Sequence, residues 1–240
     1  LPELERTRGV RQNPEFHPEG DVWTHTLLAL SGLPAHSADL PESGRELLAW
    51  AVALHDVGKP KTCETREDGR ITFYRHETAG ARLAARILTR LRMPAAFVDD
   101  VASLVQDHMR LTHVREMRDS TFKKLLSRQL RSWPDEFPGQ RRFFELLVRL
   151  QLLDSLASHG DLSHHQAARQ RAQALPAGQE RPPRLVSGHD LKRMGLLPGP
   201  LYAKILEEIL NAQLEDRVRT REEALELARR IAEDAGAFGA

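Results

Sequence analysis

Apolar residues recur along the chain at three- and four-residue spacing, β-branched runs are scarce, and aromatics make up only 5%. That period is the helical one and predicts an all-α protein. Helices are predicted over 21–33, 44–55, 76–91, 94–108, 120–130, 140–158 and 162–175. The second carries a stripe of Leu47, Leu48, Ala51, Val52 and Leu54. The fourth starts at Pro94, a favourable first-turn residue, and the fifth takes Ser120 as its N-cap. Residues 59–75 break the pattern. There Asp68-Gly69 is a turn signal between the short runs 62–66 and 70–74, and it predicts a two-stranded hairpin. Residues 176–186, with Pro176, Gly178, Pro182 and Pro183, read as a linker. Three further helical stretches follow, 187–194, 200–214 and 221–235. The expected organisation is a helical bundle over 1–175 with a small hairpin insertion, a linker over 176–186, and a short helical tail over 187–240.

Composition narrows the function classes. Hydrophobic residues at 40% and charged residues at 29% of 240 exclude disorder throughout. No stretch approaches 18 uncharged apolar residues, so no membrane span is expected. Residues 1–6 lack an apolar signal core, and Cys63 is the sole cysteine. An internal disulfide and a cysteine-based zinc cluster are therefore excluded, and a cytoplasmic location is expected. The net charge of +1 removes any global attraction to nucleic acid. Of the 35 basic residues only six are Lys, leaving 29 Arg. Arg suits bidentate phosphate contacts, although a GC-rich coding sequence gives the same bias.

The chemistry gathers around histidines. His55-Asp56 closes an apolar helix that Gly58 and Pro60 stop. A neutral imidazole nitrogen beside a carboxylate oxygen suits Mn, Fe, Co, Ni or Zn better than Ca. Alone the pair is weak, since a histidine at a helix C-terminus also satisfies the helix dipole. Four more residues strengthen it. His25 lies mid-helix, His76 opens the third helix, His108 ends the fourth, and Asp154 interrupts an apolar face. A carboxylate there is costly unless a cation or one of the arginines pairs with it. Six such residues on helix ends and apolar stripes favour a metal-ligand set over six separate accidents.

In that order, His25, His55-Asp56 and Asp154 form an H…HD…D pattern that resembles the HD superfamily of metal-dependent phosphohydrolases. His76 and His108 match those members whose two ions are bridged by the Asp of the pair. The flanks are similar to the HD region of bacterial tRNA nucleotidyltransferases and poly(A) polymerases: Gln12-Asn-Pro, His17-Pro-Glu-Gly-Asp-Val-Trp-Thr-His-Thr26, Ala53-Leu-His-Asp-Val-Gly-Lys-Pro-Lys-Thr62 and Phe73-Tyr-Arg-His-Glu77. In the tail, Val186-Ser-Gly-His-Asp-Leu191 and Thr220-Arg-Glu-Glu-Ala-Leu225 match the same enzymes.

The resemblance implies a divalent transition metal, two ions of Mn, Ni, Co, Fe or Zn with Mg²⁺ also admitted, and Asp56 as the bridge. It implies hydrolysis of a phosphate ester, a nucleotide or an RNA end, by a phosphatase or 2′,3′-cyclic phosphodiesterase. Lys59, which follows the HD-x-G turn, and Arg75, close to the ligands in sequence, are candidates to hold the phosphate. Glu77 and Asp107 are candidates to orient His76 and His108. The other seven His (17, 36, 113, 159, 164, 165 and 189) are expected at the surface or in structural roles. The alternative is the tRNA-binding, non-transferring part of a split or truncated nucleotidyltransferase. Its support is the tail and an Arg82, Arg86, Arg90 stripe, which reads equally well as a solvated helix face. The Gly-Ser turn and Asp pair of a nucleotidyltransferase head are not found, so the chain as given is not expected to add CCA or poly(A). The tail departs from those enzymes at Leu201-Tyr202-Ala203 and Glu215-Asp216-Arg217.

Overall fold

The structure, a computed structural model, describes residues 1–136, 139–180 and 182–237. It divides into two units, one of residues 1–115 and 128–174, the other of residues 116–127 and 175–240.

The first unit opens with a short helix α1 (Pro2–Glu5), then a strap whose Val10 carbonyl accepts from Val22 N–H at 3.1 Å. Helix α2 (Val22–Ser31) starts at Asp21, whose carboxylate accepts from Thr24 N–H at 2.8 Å and from Gly9 N–H at 2.6 Å. One carboxylate thus caps the helix and fastens the strap to it. A one-turn helix α3 (Leu33–Ser37) leads to α4 (Glu42–Leu54), whose predicted stripe is fully buried. The chain then turns through His55–Gly58 into a short helix α5 (Lys59–Thr62).

The hairpin stands where Asp68-Gly69 predicts it. Strands β1 (Cys63–Thr65) and β2 (Ile71–Phe73) pair antiparallel, with Thr65 opposite Ile71. Helices α6 (His76–Arg90) and α7 (Ala95–Asp107) pack against each other, and α4 and the long α9 (Arg142–Ala157) pack on α7. A 3₁₀ turn (His108–His113) continues α7, and α10 (Ser163–Ala174) lies on α9. Leu47, Leu48, Leu54, Leu88, Leu104, Leu146 and Leu147 fill the core. The fold is the expected helical bundle with a small hairpin, and no described helix is long and apolar enough to cross a membrane.

The second unit holds α8 (Asp119–Leu126), α11 (Gly188–Arg193), α12 (Pro200–Leu214) and α13 (Arg221–Asp234) around Leu191, Ile205, Ile209, Ala224 and Ala228. Reciprocal capping boxes start two of them: Ser187 with Asp190 and Thr220 with Glu223.

The second unit departs from the sequence pattern at several points. Helix α8 belongs to this unit, not to the bundle, and it ends at Leu126 rather than residue 130. Ser120 is no N-cap; it is buried inside α8, and its hydroxyl donates to Glu215 Oε1 at 2.7 Å. Val186, at the end of the expected linker, is also buried in this unit's core.

Candidate metal centre

A glycine contact brings the ligand-bearing elements together. A Cβ on Gly58 would lie 2.1 Å from the His76 carbonyl and 2.6 Å from the Gly80 nitrogen. Only a residue without a side chain lets the turn after His55-Asp56 sit directly on the first turns of α6. That contact carries Asp56 to His76. The packing of α2 and α9 on α4 carries His25 and Asp154 to the other side of the same carboxylate.

The result is two groups of donors sharing Asp56. On one side, His55 Nε2 lies 3.2 Å and His25 Nε2 3.9 Å from Asp56 Oδ2. Asp154 Oδ1 joins them, 3.0 Å from His25 Nε2 and 3.9 Å from His55 Nε2. On the other side, His76 Nε2 lies 3.4 Å and His108 Nε2 3.9 Å from Asp56 Oδ1. Each carboxylate oxygen therefore faces its own histidine pair.

The imidazoles are fixed from behind. His55 Nδ1 is 2.8 Å from the Val52 carbonyl, His76 Nδ1 2.9 Å from that of Phe73, and His108 Nδ1 2.7 Å from that of Val105. In each case the acceptor stands three residues earlier. The Nδ1–H is used up there, and the Nε2 lone pair points inward. His25 follows the same logic with a carboxylate, its Nδ1 2.6 Å from Glu19 Oε1.

These donors fit a metal. Nε2 atoms lie 3.3 Å apart in the His25–His55 pair and 3.2 Å apart in the His76–His108 pair. Nε2 lone pairs directed at each other at this spacing repel unless a proton or a metal ion lies between them. Ligands at about 2.05 Å around one tetrahedral ion are ~3.3 Å apart. Asp56 Oδ2 is buried and accepts no aligned hydrogen bond. Lys59 Nζ, 2.7 Å away, forms an ion pair with it.

The local field keeps both carboxylates ionised. Burial works against Asp56, but His55 and Lys59 beside it hold it well below the usual carboxylate range. Burial likewise opposes Asp154, and His25 and His55 override it. Burial also opposes charge on His55, yet Asp56 next to it pushes this imidazole up to about 9. Burial, reinforced by His76 and His55, lowers His108 to about 3.

The remaining candidates divide. Lys59 is buried, with Nζ 2.6 Å from Gln12 Oε1 as well as near Asp56. It lines a cleft of about 680 Å³ that opens over Asp56, His76, His108 and Asp154. Arg75 is not part of that lining. It is exposed, sits in the left-handed conformation (φ 58°) before α6, and leans on the Tyr74 ring. Arg66 and Arg70 of the hairpin line the cleft. Asp107 does not orient His108: it binds Arg110 and Arg128. Glu77 is 3.8 Å from His76 Nδ1, which the Phe73 carbonyl already occupies. In the arginine stripe, Arg90 spends its fork on Glu3 at 2.6 and 2.8 Å, while Arg82 and Arg86 stay exposed.

Sequence reasoning missed Glu19, Gln12 and the position of His17. Glu19 Oε1 accepts from His17 Nδ1 at 2.8 Å as well as from His25 Nδ1, so one carboxylate oxygen holds both imidazoles. His17, His159 and His164, expected at the surface or in structural roles, all line the cleft. A carboxylate six residues before His25 was the available signal, but it lies in a loop without periodicity. Glu19→Gln is expected to weaken metal binding about 10- to 100-fold, because a charged partner raises the basicity of the ligand imidazole. Chelator competition measures this, and unchanged affinity would remove Glu19 from the site.

Comparison with known proteins places the chain in a family. Residues 22–158 match the HD domain family. The chain is 33% identical over 243 residues to an A-adding tRNA nucleotidyltransferase of Deinococcus radiodurans, covering 98% of this chain and 51% of that protein. It is 34% identical over 234 residues to a CC-adding tRNA nucleotidyltransferase of Thermus thermophilus, covering 93% and 48%. A multifunctional CCA protein of Halorhodospira halophila is 38% identical over 128 residues, 52% of this chain and 28% of that protein. The chain belongs to the HD domain family. It spans about half the length of these two tRNA nucleotidyltransferases.

Proposed function

We propose that this chain is a metal-dependent phosphohydrolase, a phosphatase or 2′,3′-cyclic phosphodiesterase acting on nucleotides or RNA ends. The observation that carries the reading is Asp56, whose two oxygens face separate histidine pairs. His25, His55, Asp56 and Asp154 would hold one ion, and Asp56, His76 and His108 the other. When bound, such ions lower the pKa of water and stabilise charge on phosphoryl oxygens.

The protein's own groups supply the rest. Lys59 has three N–H donors. Gln12 takes one and Asp56 is paired with the ammonium. The donors not bound to Gln12 are left for a phosphoryl oxygen in the cleft. Gln12, buried and held by the strap, positions this ammonium. The apolar walls of α4 and α7 behind the ligands exclude water from that side, which strengthens each polar contact at the centre.

The test is a metal screen on 2′,3′-cyclic nucleotides, nucleoside monophosphates and p-nitrophenyl phosphate. Turnover is expected with Mn²⁺, Ni²⁺ or Co²⁺ above Mg²⁺, since four imidazoles prefer borderline metals to a hard, oxygen-seeking ion. A proton on His55 competes with the metal up to about pH 9. Metal affinity therefore rises as pH rises toward that value and falls on acidification. Turnover with Mg²⁺ alone, or affinity flat with pH, contradicts the ligand assignment.

A second reading, a tRNA-binding module without transfer activity, has support in the match to tRNA nucleotidyltransferases across the tail as well as the bundle. No turnover with any metal, together with retained tRNA binding, would favour it.

A further inference from the structure

The cleft over the metal centre is larger than a phosphate needs. Its volume of about 680 Å³ is that of a site for a sizeable small molecule. The hairpin forms one wall, and two features of the lining bear on what the cleft takes.

The first is a pair of arginines. The register that sets Thr65 opposite Ile71 puts Arg66 opposite Arg70, with Arg66 N–H donating to the Arg70 carbonyl at 2.9 Å. Like charges facing each other across strands destabilise a hairpin. Among the described residues neither guanidinium has an ion-pair partner. Glu67 and Asp68 stand in the turn between them, and Asp68 instead accepts from Arg70 N–H at 2.9 Å. Both arginines line the cleft.

The second is exposed aromatic surface. Tyr74 is 77% and Phe16 51% exposed, and both line this same cleft. An exposed aromatic beside an arginine pair is a surface for a flat base and an adjoining phosphate, with Arg75 on the Tyr74 ring to be displaced by the base. Glu15 and Asp161 also line the cleft, but from other segments, so the positive charge is local to the hairpin.

We propose that the hairpin and the strap together form a recognition element for a phosphate-ended oligonucleotide: Phe16 of the strap and Tyr74 after β2 stack the terminal base, and Arg66 with Arg70 binds the next phosphodiester. The inference rests on reading the metal centre as the site of the terminal phosphate. It sets the preferred substrate as a strand end of two or more nucleotides, with little sequence preference because every base has a face to stack.

The test is equilibrium binding of three probes to the full chain: a 3′-phosphorylated dinucleotide, a nucleoside 3′-monophosphate and inorganic phosphate. The dinucleotide is expected to bind about tenfold or more tightly than the mononucleotide, with the gap shrinking between 50 and 200 mM salt, as phosphate contacts do. Arg66→Ser/Arg70→Ser should abolish the gap and leave mononucleotide binding unchanged. Phe16→Ala/Tyr74→Ala should weaken both nucleotides about tenfold and spare inorganic phosphate. All four positions are exposed, so the variants should fold. Equal binding of the two nucleotides by the unmodified chain, or a gap that survives loss of both arginines, overturns the proposal. Turnover of p-nitrophenyl phosphate, a nucleoside monophosphate and a 2′,3′-cyclic nucleotide is measured in parallel. Turnover without the gap leaves the phosphohydrolase reading standing and removes this one. A gap without turnover supports the recognition site and removes the phosphohydrolase reading.

Discussion

Asp56→Asn is expected to strip the protein of metal at both positions while its helices persist. No other described side chain presents an oxygen to both histidine pairs: Asp154 reaches only His25 and His55. The amide keeps the shape and loses the charge that two cations would share. Affinity should fall at least about 100-fold, more than for loss of a ligand's orienting partner, for which 10- to 100-fold is usual. The change also leaves Lys59 without its carboxylate, and an uncompensated buried charge costs up to about 3 kcal/mol. Gln12 still accepts from the ammonium, and Leu47, Leu48 and Leu104 are untouched. Far-ultraviolet dichroism should therefore stay helical, with the melting temperature lowered by roughly 6–12 °C. Full metal content in this variant would mean that Asp56 is not the bridge.

Gly58→Ala is expected to be the most damaging single methyl group in the bundle. Gly58 has an ordinary helical backbone, φ −80°, so no conformational strain is involved. The added carbon would stand 2.1 Å from the His76 carbonyl and 2.6 Å from the Gly80 nitrogen. Both are backbone atoms, and no flexible side chain can swing aside. Relief requires moving α6 off the turn, which also parts His76 from Asp56. Overpacking usually costs 1–3 kcal/mol, and this case should reach about 3 kcal/mol or more. Gly80→Ala is the control, since its methyl group would meet Val105 Cγ1 at 3.2 Å and the His55 carbonyl at 3.4 Å. Denaturant melts of the two variants should separate clearly. Equal, small losses would show that the glycine contact does not set the distance between the turn and α6.

The six candidate ligands were legible because each stands on a helix end or interrupts an apolar face, where sequence periodicity is informative. The hairpin was legible from Asp68-Gly69 alone. What lay outside reach has a common cause: Gln12, His17 and Glu19 belong to a strap with no period, fixed by Asp21 and Val10. Nothing local in sequence connects Gln12 to Lys59, 47 residues away. Arg75 failed for the opposite reason. Adjacency to His76 suggested a role, but the left-handed residue before α6 turns its side chain onto Tyr74. Arg66 and Arg70, further along the sequence from the ligands, reach the cleft because the hairpin folds back over it. Ser120 had the chemistry of a cap, yet α8 begins one residue earlier and uses that hydroxyl for Glu215.

Asp56, with one oxygen toward each histidine pair, is placed to share two ions. Elemental analysis of the full chain, reconstituted with Mn²⁺ or Ni²⁺ and dialysed, tests that sharing most directly. The geometry predicts about two equivalents per chain, falling toward none in Asp56→Asn. A folded protein that retains no metal, or one whose metal content is indifferent to Asp56, would contradict it.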